Sequence, residues 1–339
     1  MKLENLTPFE AERYGLNDEN GKNLLLVVMK ATYSITPDNK LELAEKQEPI
    51  EMADQYYGEP GYSSIKYASD FSFDKTATDV ALLGHAYAPK RGAKESEVSL
   101  QIGPVQKKVK VFGDRRWKKH VGVSMISSSE PFEKIPLVYE RAFGGVDESH
   151  AESKNHEAEP RNPIGVGFRA KKSKLKTDGA ALPNFEDPDN PIKKPSSRPG
   201  PAGFGFISPA WQPRLGFAGT YDEAWQKSRS PLLPDDFDKN FFNSAHPDLV
   251  CPGFLKGDEP VMASGVSPLG PLRFSLPGVQ PLCSVELVEN DEEQQIEMNL
   301  AKAVLDADDR RLILVWSGNM RIEGECQDVE NVKCELEQE

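Results

Sequence analysis

The sequence lacks the long apolar segments that a membrane span or a secretory signal requires. Its longest apolar run is LLLVVM at residues 24–29, far short of the roughly 18 residues of a membrane-spanning helix. The opening stretch MKLENLTPFEAERYG has no apolar core of the kind that a signal peptide carries. We therefore expect a protein that is not inserted in a membrane and that stays in the compartment where it is made, the cytoplasm.

Cysteine and histidine are also scarce. The four cysteines at positions 251, 283, 326 and 334 form no CxxC pair, and none of the five histidines lies near them at a spacing typical of zinc ligands. These spacings argue against a structural zinc site. Without a secretory signal, we expect the cysteines to be reduced thiols, and we expect no metal or other cofactor.

Catalytic motifs are missing as well. The sequence contains no GxSxG, no GxxxxGK[ST] and no HExxH, and no nucleophile can be assigned to a nearby base. We therefore expect a protein that is not an enzyme. One alternative stays open, because the acidic run at residues 235–238 and its neighbouring aromatic residues would suit a carbohydrate-binding or carbohydrate-active site within residues 219–243.

Positive charge is too sparse for a general nucleic-acid binder. The formal net charge is −13, whereas neutralising phosphates requires clustered lysine and arginine. Residues 285–339 hold 16 acidic against 5 basic residues, while two basic runs lie at residues 107–119 and 169–176. These runs are either solvated faces or docking surfaces for partners of complementary charge.

What the sequence does have is the pattern of a β protein. Short apolar or alternating runs are separated by turn residues, with 26 glycines and 27 prolines in total. The predicted strands lie at residues 21–35, 40–44, 79–88, 97–102, 105–112, 282–288, 295–300 and 311–316. Residues 1–20 are predicted to be a polar lead-in, and residues 290–293 a turn. We predict a mainly β fold of antiparallel, sandwich-like sheets with a long irregular insertion rich in proline, glycine and aromatic residues.

Proline content divides the chain into three parts. Residues 141–282 hold 19 of the 27 prolines, which predicts an N-terminal β region at 1–140, an irregular insertion on the β core at 141–281 and acidic β hairpins at 282–339. One domain with an insertion and two β domains both remain open. Within the insertion we expect a short helix at residues 222–228. Its aromatic residues either plug the core or line a groove for a partner.

The order of these segments resembles a bacterial family that is catalogued as a domain of unknown function and whose members serve as adaptors or chaperones for type VI secretion effectors. The segments that carry the resemblance are LLLVVMKATYSI (24–35), DQYYGEPGYSSIKYASDF (54–71), KTATDVALLGHAYAP (75–89), VFGDRRW (111–117), PFEKIPLVYERAFGG (131–145), RNPIGVGF (161–168), LPNFEDP (182–188) and residues 202–249. The resemblance implies a cytoplasmic accessory protein that holds an effector and helps to load it onto the secretion spike, often beside a PAAR-type spike protein. It supplies no catalytic residue.

Such a role needs exposed aromatic and charged side chains that a partner can contact. The candidates for partner contact are Arg115, Arg116, Trp117, Trp211, Tyr221, Trp225, Phe241 and Phe242. A structural component of the secretion spike is a further alternative to the adaptor.

Overall fold

The computed structural model describes residues 1–288, 290–324 and 328–337. Its fold is mainly β with several mostly antiparallel sheets, so the predicted fold class is confirmed. The strands are β1 (Lys2–Asn5), β2 (Glu10–Asn17), β3 (Asn23–Ile35), β4 (Leu41–Leu43), β5 (Gln55–Tyr56), β6 (Ile65–Tyr67), β7 (Asp79–Leu83), β8 (His85–Tyr87), β9 (Glu95–Ile102), β10 (Val105–Phe112), β11 (Trp117–His120), β12 (Val123–Ile126), β13 (Lys134–Pro136), β14 (Phe143–Gly144), β15 (Val146–Asp147), β16 (Glu157–Ala158), β17 (Val166–Gly167), β18 (Phe185–Glu186), β19 (Pro260–Ser264), β20 (Leu272–Ser275), β21 (Pro281–Leu287), β22 (Asn290–Ile296), β23 (Asn299–Asp306), β24 (Arg311–Arg321) and β25 (Val329–Leu336).

Helices are short. The predicted helix is present as α1 (Glu223–Ser228), and the 3-10 helices are η1 (Tyr139–Arg141), η2 (Ser153–Asn155), η3 (Arg214–Phe217), η4 (Lys239–Phe242) and η5 (Pro247–Leu249). Among the described residues, no helix is long and apolar enough to cross a membrane.

A central sheet has the strand order β2-β3-β24-β23-β7, with β4 also paired to β3. Strands β2 and β4 follow one another along one edge of β3, and β24 covers its other edge from Leu24 to Ser34. Only the pairing of β7 with β23 is parallel in this sheet. Strands from the beginning and the end of the chain are therefore interleaved in one sheet.

Strand β3 is apolar on both of its faces because both faces of the central sheet are covered. Leu25, Val27 and Met29 point into the main core, while Leu26 and Val28 pack on the opposite face. Side chains alternate between the two faces of a strand. A continuous apolar run is therefore typical of a strand that is buried on both sides.

Two further sheets pack on the main core. One has the order β18-β10-β9-β19-β20 and the other β1-β25-β21-β22. The predicted hairpin of β9 and β10 is confirmed, with Lys108 and Lys110 exposed on one face. Strands β19 and β20, which come from the 141–281 segment, extend the same sheet as β9. One hydrophobic cluster contains residues of all three sheets, so the three predicted parts of the chain share a core.

Two predictions of local structure are wrong. Residues 1–20 were expected as a polar lead-in, but they contain β1 and β2. The expected turn at residues 290–293 lies in β22. The strands in both segments lie at the edges of their sheets. Their sequences are mostly polar, so the alternation of apolar and polar residues that marks a strand is weak.

Cysteines 251, 283 and 334 are buried and unbridged, and Cys283 lies directly opposite Cys334 in the pairing of β21 with β25. Cys326 lies outside the described residues.

Candidate functional site

An irregular segment, residues 200–250, is fixed to the sheets at its two ends. Phe204 and Phe206 are buried near its start, and the amide of Leu82 in β7 donates to the Phe204 carbonyl at 3.1 Å. Leu249 in η5 is fully buried near its end. The middle of the segment therefore lies on the surface between two anchored ends.

Aspartate side chains close this middle part on itself. Asp222 accepts from the Trp225 amide at 2.9 Å and caps α1, and Asp238 accepts from the Asn240 amide at 2.9 Å and caps η4. Asp236 accepts from the amide of Thr220 at 2.9 Å. Gly219 has a φ of +79°, and a Cβ there would lie 2.8 Å from Pro234. These hydrogen bonds between aspartate side chains and backbone amides therefore order a loop that buries few apolar side chains.

This loop, together with Phe73 from the segment between β6 and β7, presents aromatic rings that are only partly buried. We call them the aromatic surface, and its members are Phe73, Tyr221, Trp225, Phe237, Phe241 and Phe242. The Tyr221 and Trp225 rings lie 4.7 Å apart between centroids, and Phe242 lies 4.8 Å from Phe73 and 5.5 Å from Phe237. Tyr221 is 54% exposed. The other rings are half-buried, and ordered, accessible aromatic rings are typical of protein interfaces.

Three pockets accompany the segment. The first has a volume of about 280 Å³ and the second about 180 Å³, and both are lined by Ile207, Pro213 and Pro247. The third, of about 290 Å³, is lined by rings of the aromatic surface together with Arg229 and Lys239. Helix η4 contributes to the second pocket through Asn240 and to the third through Lys239. The surface around residues 200–250 is therefore grooved.

A histidine, a lysine and an aspartate form one wall of the first pocket. Nζ of Lys107 lies 2.5 Å from Oδ2 of Asp248 and 3.3 Å from Nδ1 of His246. The Asp248 amide donates to Nδ1 of His246, and Nε2 of His246 lies 3.2 Å from the Pro201 carbonyl. Burial, together with the charge of Lys107, lowers the pKa of His246 to about 4. The imidazole is therefore neutral at pH 7 and has partners on both nitrogens, so it stabilises the wall and offers no free base.

Lys107 was not among the predicted site residues, although the sequence carried a signal for it. It lies between Val105 and Val109 in β10, on the face that points inward. A lysine at an inward position of an alternating strand indicates a buried charge with a partner. Phe73 carried no comparable signal, because the exposure of a phenylalanine depends on which residues the fold packs over it.

Three predicted contact residues are buried. Arg115 pairs with Glu186 at 2.6 Å and Trp117 packs with Phe143 in a small core cluster. Trp211 lies edge-on to Tyr139 at 5.7 Å in the main core. The fold leaves these three side chains at most 6% exposed, which gives a partner little surface to contact.

The other predicted contact residues are accessible. Arg116 is exposed and donates to the Gly179 carbonyl at 3.1 Å. Tyr221 contacts Trp225, and Phe241 contacts Phe242, with 4.7 and 6.1 Å between ring centroids. Whether they bind a partner stays a prediction.

The end of the first basic run pairs with the residues that follow the second. The Trp117 amide donates to the Ala180 carbonyl at 2.8 Å, and the Lys119 amide donates to Asp178 at 2.8 Å. The side chains of this basic surface are Lys118, Lys119, Arg169, Lys171, Lys172, Lys174 and Lys176. Nearly all of them are exposed, so the protein has a positively charged face despite its negative net charge.

Within the described residues, no group of three or more histidine, cysteine, aspartate or glutamate side chains is arranged to hold a metal ion. A family model described as "Uncharacterized protein conserved in bacteria (DUF2169)" matches residues 20–317. No curated protein and no solved structure matches the chain.

Proposed function

The chain belongs to this bacterial family, and we propose that it is a non-enzymatic adaptor or chaperone that binds a type VI secretion effector. In this proposal the protein holds the effector in the cytoplasm and aids its loading onto a PAAR-type secretion spike. The observation that carries the proposal is the aromatic surface. An adaptor needs accessible anchors in an ordered setting, because rigid aromatic side chains bind with little loss of conformational entropy.

The rings of the aromatic surface are held in place before any partner arrives. The indole nitrogen of Trp225 donates to the Leu232 carbonyl at 2.8 Å. Phe237 contacts both Phe241 and Phe242 at centroid distances of 5.6 and 5.5 Å. Contacts of this kind pre-organise the surface, which reduces the entropy lost on binding.

The basic surface supports the same proposal. Lys118 and Lys119 project from the hairpin of β11 and β12, and Lys171 and Lys172 lie on the segment that is hydrogen-bonded beside it. Clustered charge of one sign accelerates encounter with a partner of the opposite sign and fixes its orientation. An acidic face on the effector or on the spike protein would match this surface.

The carbohydrate alternative receives less support. A glycosidase needs two carboxylates placed on either side of a bound sugar. Asp236 is bound to Thr220, Asp238 caps η4, and Asp235 lies 3.1 Å from Arg229. These carboxylates already form hydrogen bonds and an ion pair within the loop. Only stacking on the aromatic rings would therefore remain for binding a sugar.

Co-purification tests the proposal. The tagged protein is co-expressed with the effector or PAAR-type protein encoded beside it, and we expect the pair to elute together. We expect the double variant Tyr221→Ala, Trp225→Ala to fold and to bind at least 30-fold more weakly, because losing such anchors costs about 2 kcal/mol or more.

The matched control is Tyr62→Ala, since Tyr62 is 82% exposed and lies far from residues 219–243 in the sequence, in the turn between β5 and β6. It should bind like the wild type. An effector that is soluble alone and never co-elutes would rule out the adaptor role. Loss of folding in Trp225→Ala would instead show that this ring plugs the core.

A further inference from the structure

Arg214 begins η3 and lines the second pocket. Its Nε donates to the Phe241 carbonyl at 2.8 Å, and its Nη1 donates to the Ile207 carbonyl at 2.9 Å. Its guanidinium carbon lies 5.2 Å from the centre of the Phe241 ring. These contacts hold the guanidinium in one orientation at the pocket wall, and Nη2 makes no hydrogen bond to any described residue.

The charge of Arg214 has no direct counterion. No carboxylate of the described residues lies within 4.0 Å of its guanidinium, although Asp54 and Asp79 act on it from a greater distance. Asp79 is already paired with the buried Lys75 and accepts from Ser244. Burial lowers the pKa of Arg214, yet an arginine remains protonated in proteins. A largely buried cation without a counterion is unfavourable unless something else supplies the opposite charge.

The pocket around Arg214 has the character of a binding site. Its volume is about 180 Å³, and its walls are mainly apolar, with Phe217 and Val250 among them. The amides of Asn240 and Asn243 are its other polar side chains. Apolar walls with a few convergent polar groups are typical of pockets that bind and orient a ligand.

Arg310 shows that an arginine without a counterion is not by itself a site. It is half-buried, and its Nε donates to the Ile35 carbonyl at 2.9 Å. It lines none of the three pockets described above. What distinguishes Arg214 is the combination of a guanidinium with a free nitrogen and an apolar cavity beside it.

We propose that the second pocket binds a carboxylate attached to an apolar group, with Arg214 as the cation that pairs with it. Guanidinium groups bind carboxylates through charge-assisted hydrogen bonds of well-defined geometry. The inference rests on the proposed function in one respect: the carboxylate is that of the partner polypeptide. Its source is either the C-terminal α-carboxylate or an acidic side chain.

Small capped amino acids test the pocket without any effector. N-acetyl-leucine carries only an α-carboxylate, and N-acetylglutamate N-methylamide carries only a side-chain carboxylate. Their neutral counterparts are N-acetyl-leucinamide and N-acetylglutamine N-methylamide. We expect at least one carboxylate to bind the full-length protein at least tenfold more tightly than its neutral counterpart, measured by ligand-observed NMR titration. The pair that shows this preference identifies the source.

Variants assign the binding to Arg214. We expect Arg214→Met to abolish the preference for the carboxylate, and Arg310→Met to leave it unchanged even though that variant also loses hydrogen bonds to carbonyls. If Arg214→Met does not fold, Arg214→Lys keeps the charge without the planar fork and should weaken binding by about tenfold. Equal binding of charged and neutral probes to the wild type would overturn the proposal, and so would unchanged binding by the Arg214 variants.

The outcome separates this inference from the proposed function. Carboxylate binding that depends on Arg214, in a protein that never co-purifies with its effector, would rule out the adaptor role alone. A stable complex with the effector, together with no carboxylate preference, would rule out the carboxylate pocket alone.

Discussion

At the scale of single residues, the protein buries several charged side chains and pairs many of them with groups of opposite charge. Asp70 lies 2.9 Å from Nζ of Lys30 and 2.7 Å from Nζ of Lys302, on one face of the central sheet. The two lysines also donate to the carbonyls of Pro49 and Ala68, both at 2.6 Å. Removing one member of such a group is strongly unfavourable, because the remaining buried charge is left uncompensated. The group therefore ties the irregular residues 47–70 to the sheet.

His246 is the residue whose burial predicts a response to pH. Its pKa is about 4 in the folded protein, against about 6.5 in an unfolded chain. Between these two values the unfolded chain binds more protons than the folded protein, so the free energy of unfolding falls as the pH falls from 6.5 to 4. We expect a loss of up to about 3 kcal/mol from this histidine, measured by urea unfolding at several pH values.

His246→Gln should remove most of this loss, because the replacement does not titrate. The control is His85→Gln, which removes a half-exposed histidine 2.6 Å from Asp308 and leaves His246 in place. That variant should retain the loss. A wild-type protein whose unfolding free energy is constant between pH 6.5 and 4.5 would contradict the assignment.

At the scale of elements, the sequence was sufficient to predict a strand or helix wherever that element had a strong residue pattern of its own. Strand β3, the hairpin of β9 and β10 and the short helix α1 were all predicted. Strands β1 and β2 were missed because their residues are mostly polar and gain their structure from pairing with β25 and β3. Pairing between distant segments leaves no local signal.

The candidate site was predictable to a smaller degree, for a similar reason. The sequence singled out the aromatic residues of 219–243, but not which rings stay accessible. It placed Arg115 and Trp117 on a surface, whereas the fold covers both of them. Arg214 had no distinguishing mark, since the distance from its guanidinium to the nearest carboxylate is a property of the folded chain alone.

The hairpin of β11 and β12 contains a turn that does not suit its residues. Val121 has a φ of +46° and Gly122 a φ of +81°, and two central residues of positive φ favour the pair Asn-Gly. A β-branched residue is disfavoured in this region. Because Val121 is 89% exposed, replacing it removes almost no buried contact. We expect Val121→Asn to raise the free energy of unfolding by about 1 kcal/mol, measured by chemical denaturation.

Val123→Asn is the comparison for this hairpin. Val123 is 62% exposed and lies in strand β12 beyond the turn, where asparagine has no conformational advantage. It should not stabilise the protein. Equal effects of the two substitutions would show that the backbone of Val121 is not strained.

At the scale of the whole molecule, the chain cannot be divided simply at its predicted boundaries. The central sheet takes β3 and β7 from the first part of the chain and β23 and β24 from the last. The main core likewise includes Phe204 and Trp211 from the proline-rich middle. Each part therefore buries its apolar surface against the others.

We expect a fragment of residues 1–281 to remain unfolded, because it lacks β24, which covers a whole edge of β3. The measurement is the dispersion of its amide NMR signals, together with thermal unfolding by circular dichroism. As a control, deleting residues 1–5 removes only β1, which lies at the edge of the four-stranded sheet, and should leave a folded protein. A cooperative thermal transition in the 1–281 fragment would show that the N-terminal parts fold independently.

The pairing of β3 with β24 also has a consequence for how the chain is made. The apolar strand β3 is complete at residue 35, but β24 does not begin until residue 311. At about 5–20 residues per second, the ribosome needs roughly 15 to 60 s to synthesise the intervening chain. During that interval β2 and β4 can protect one edge of β3, while the other edge remains an unpaired template for aggregation. Nascent chains of this protein should therefore depend on ribosome-associated folding factors until translation is nearly finished.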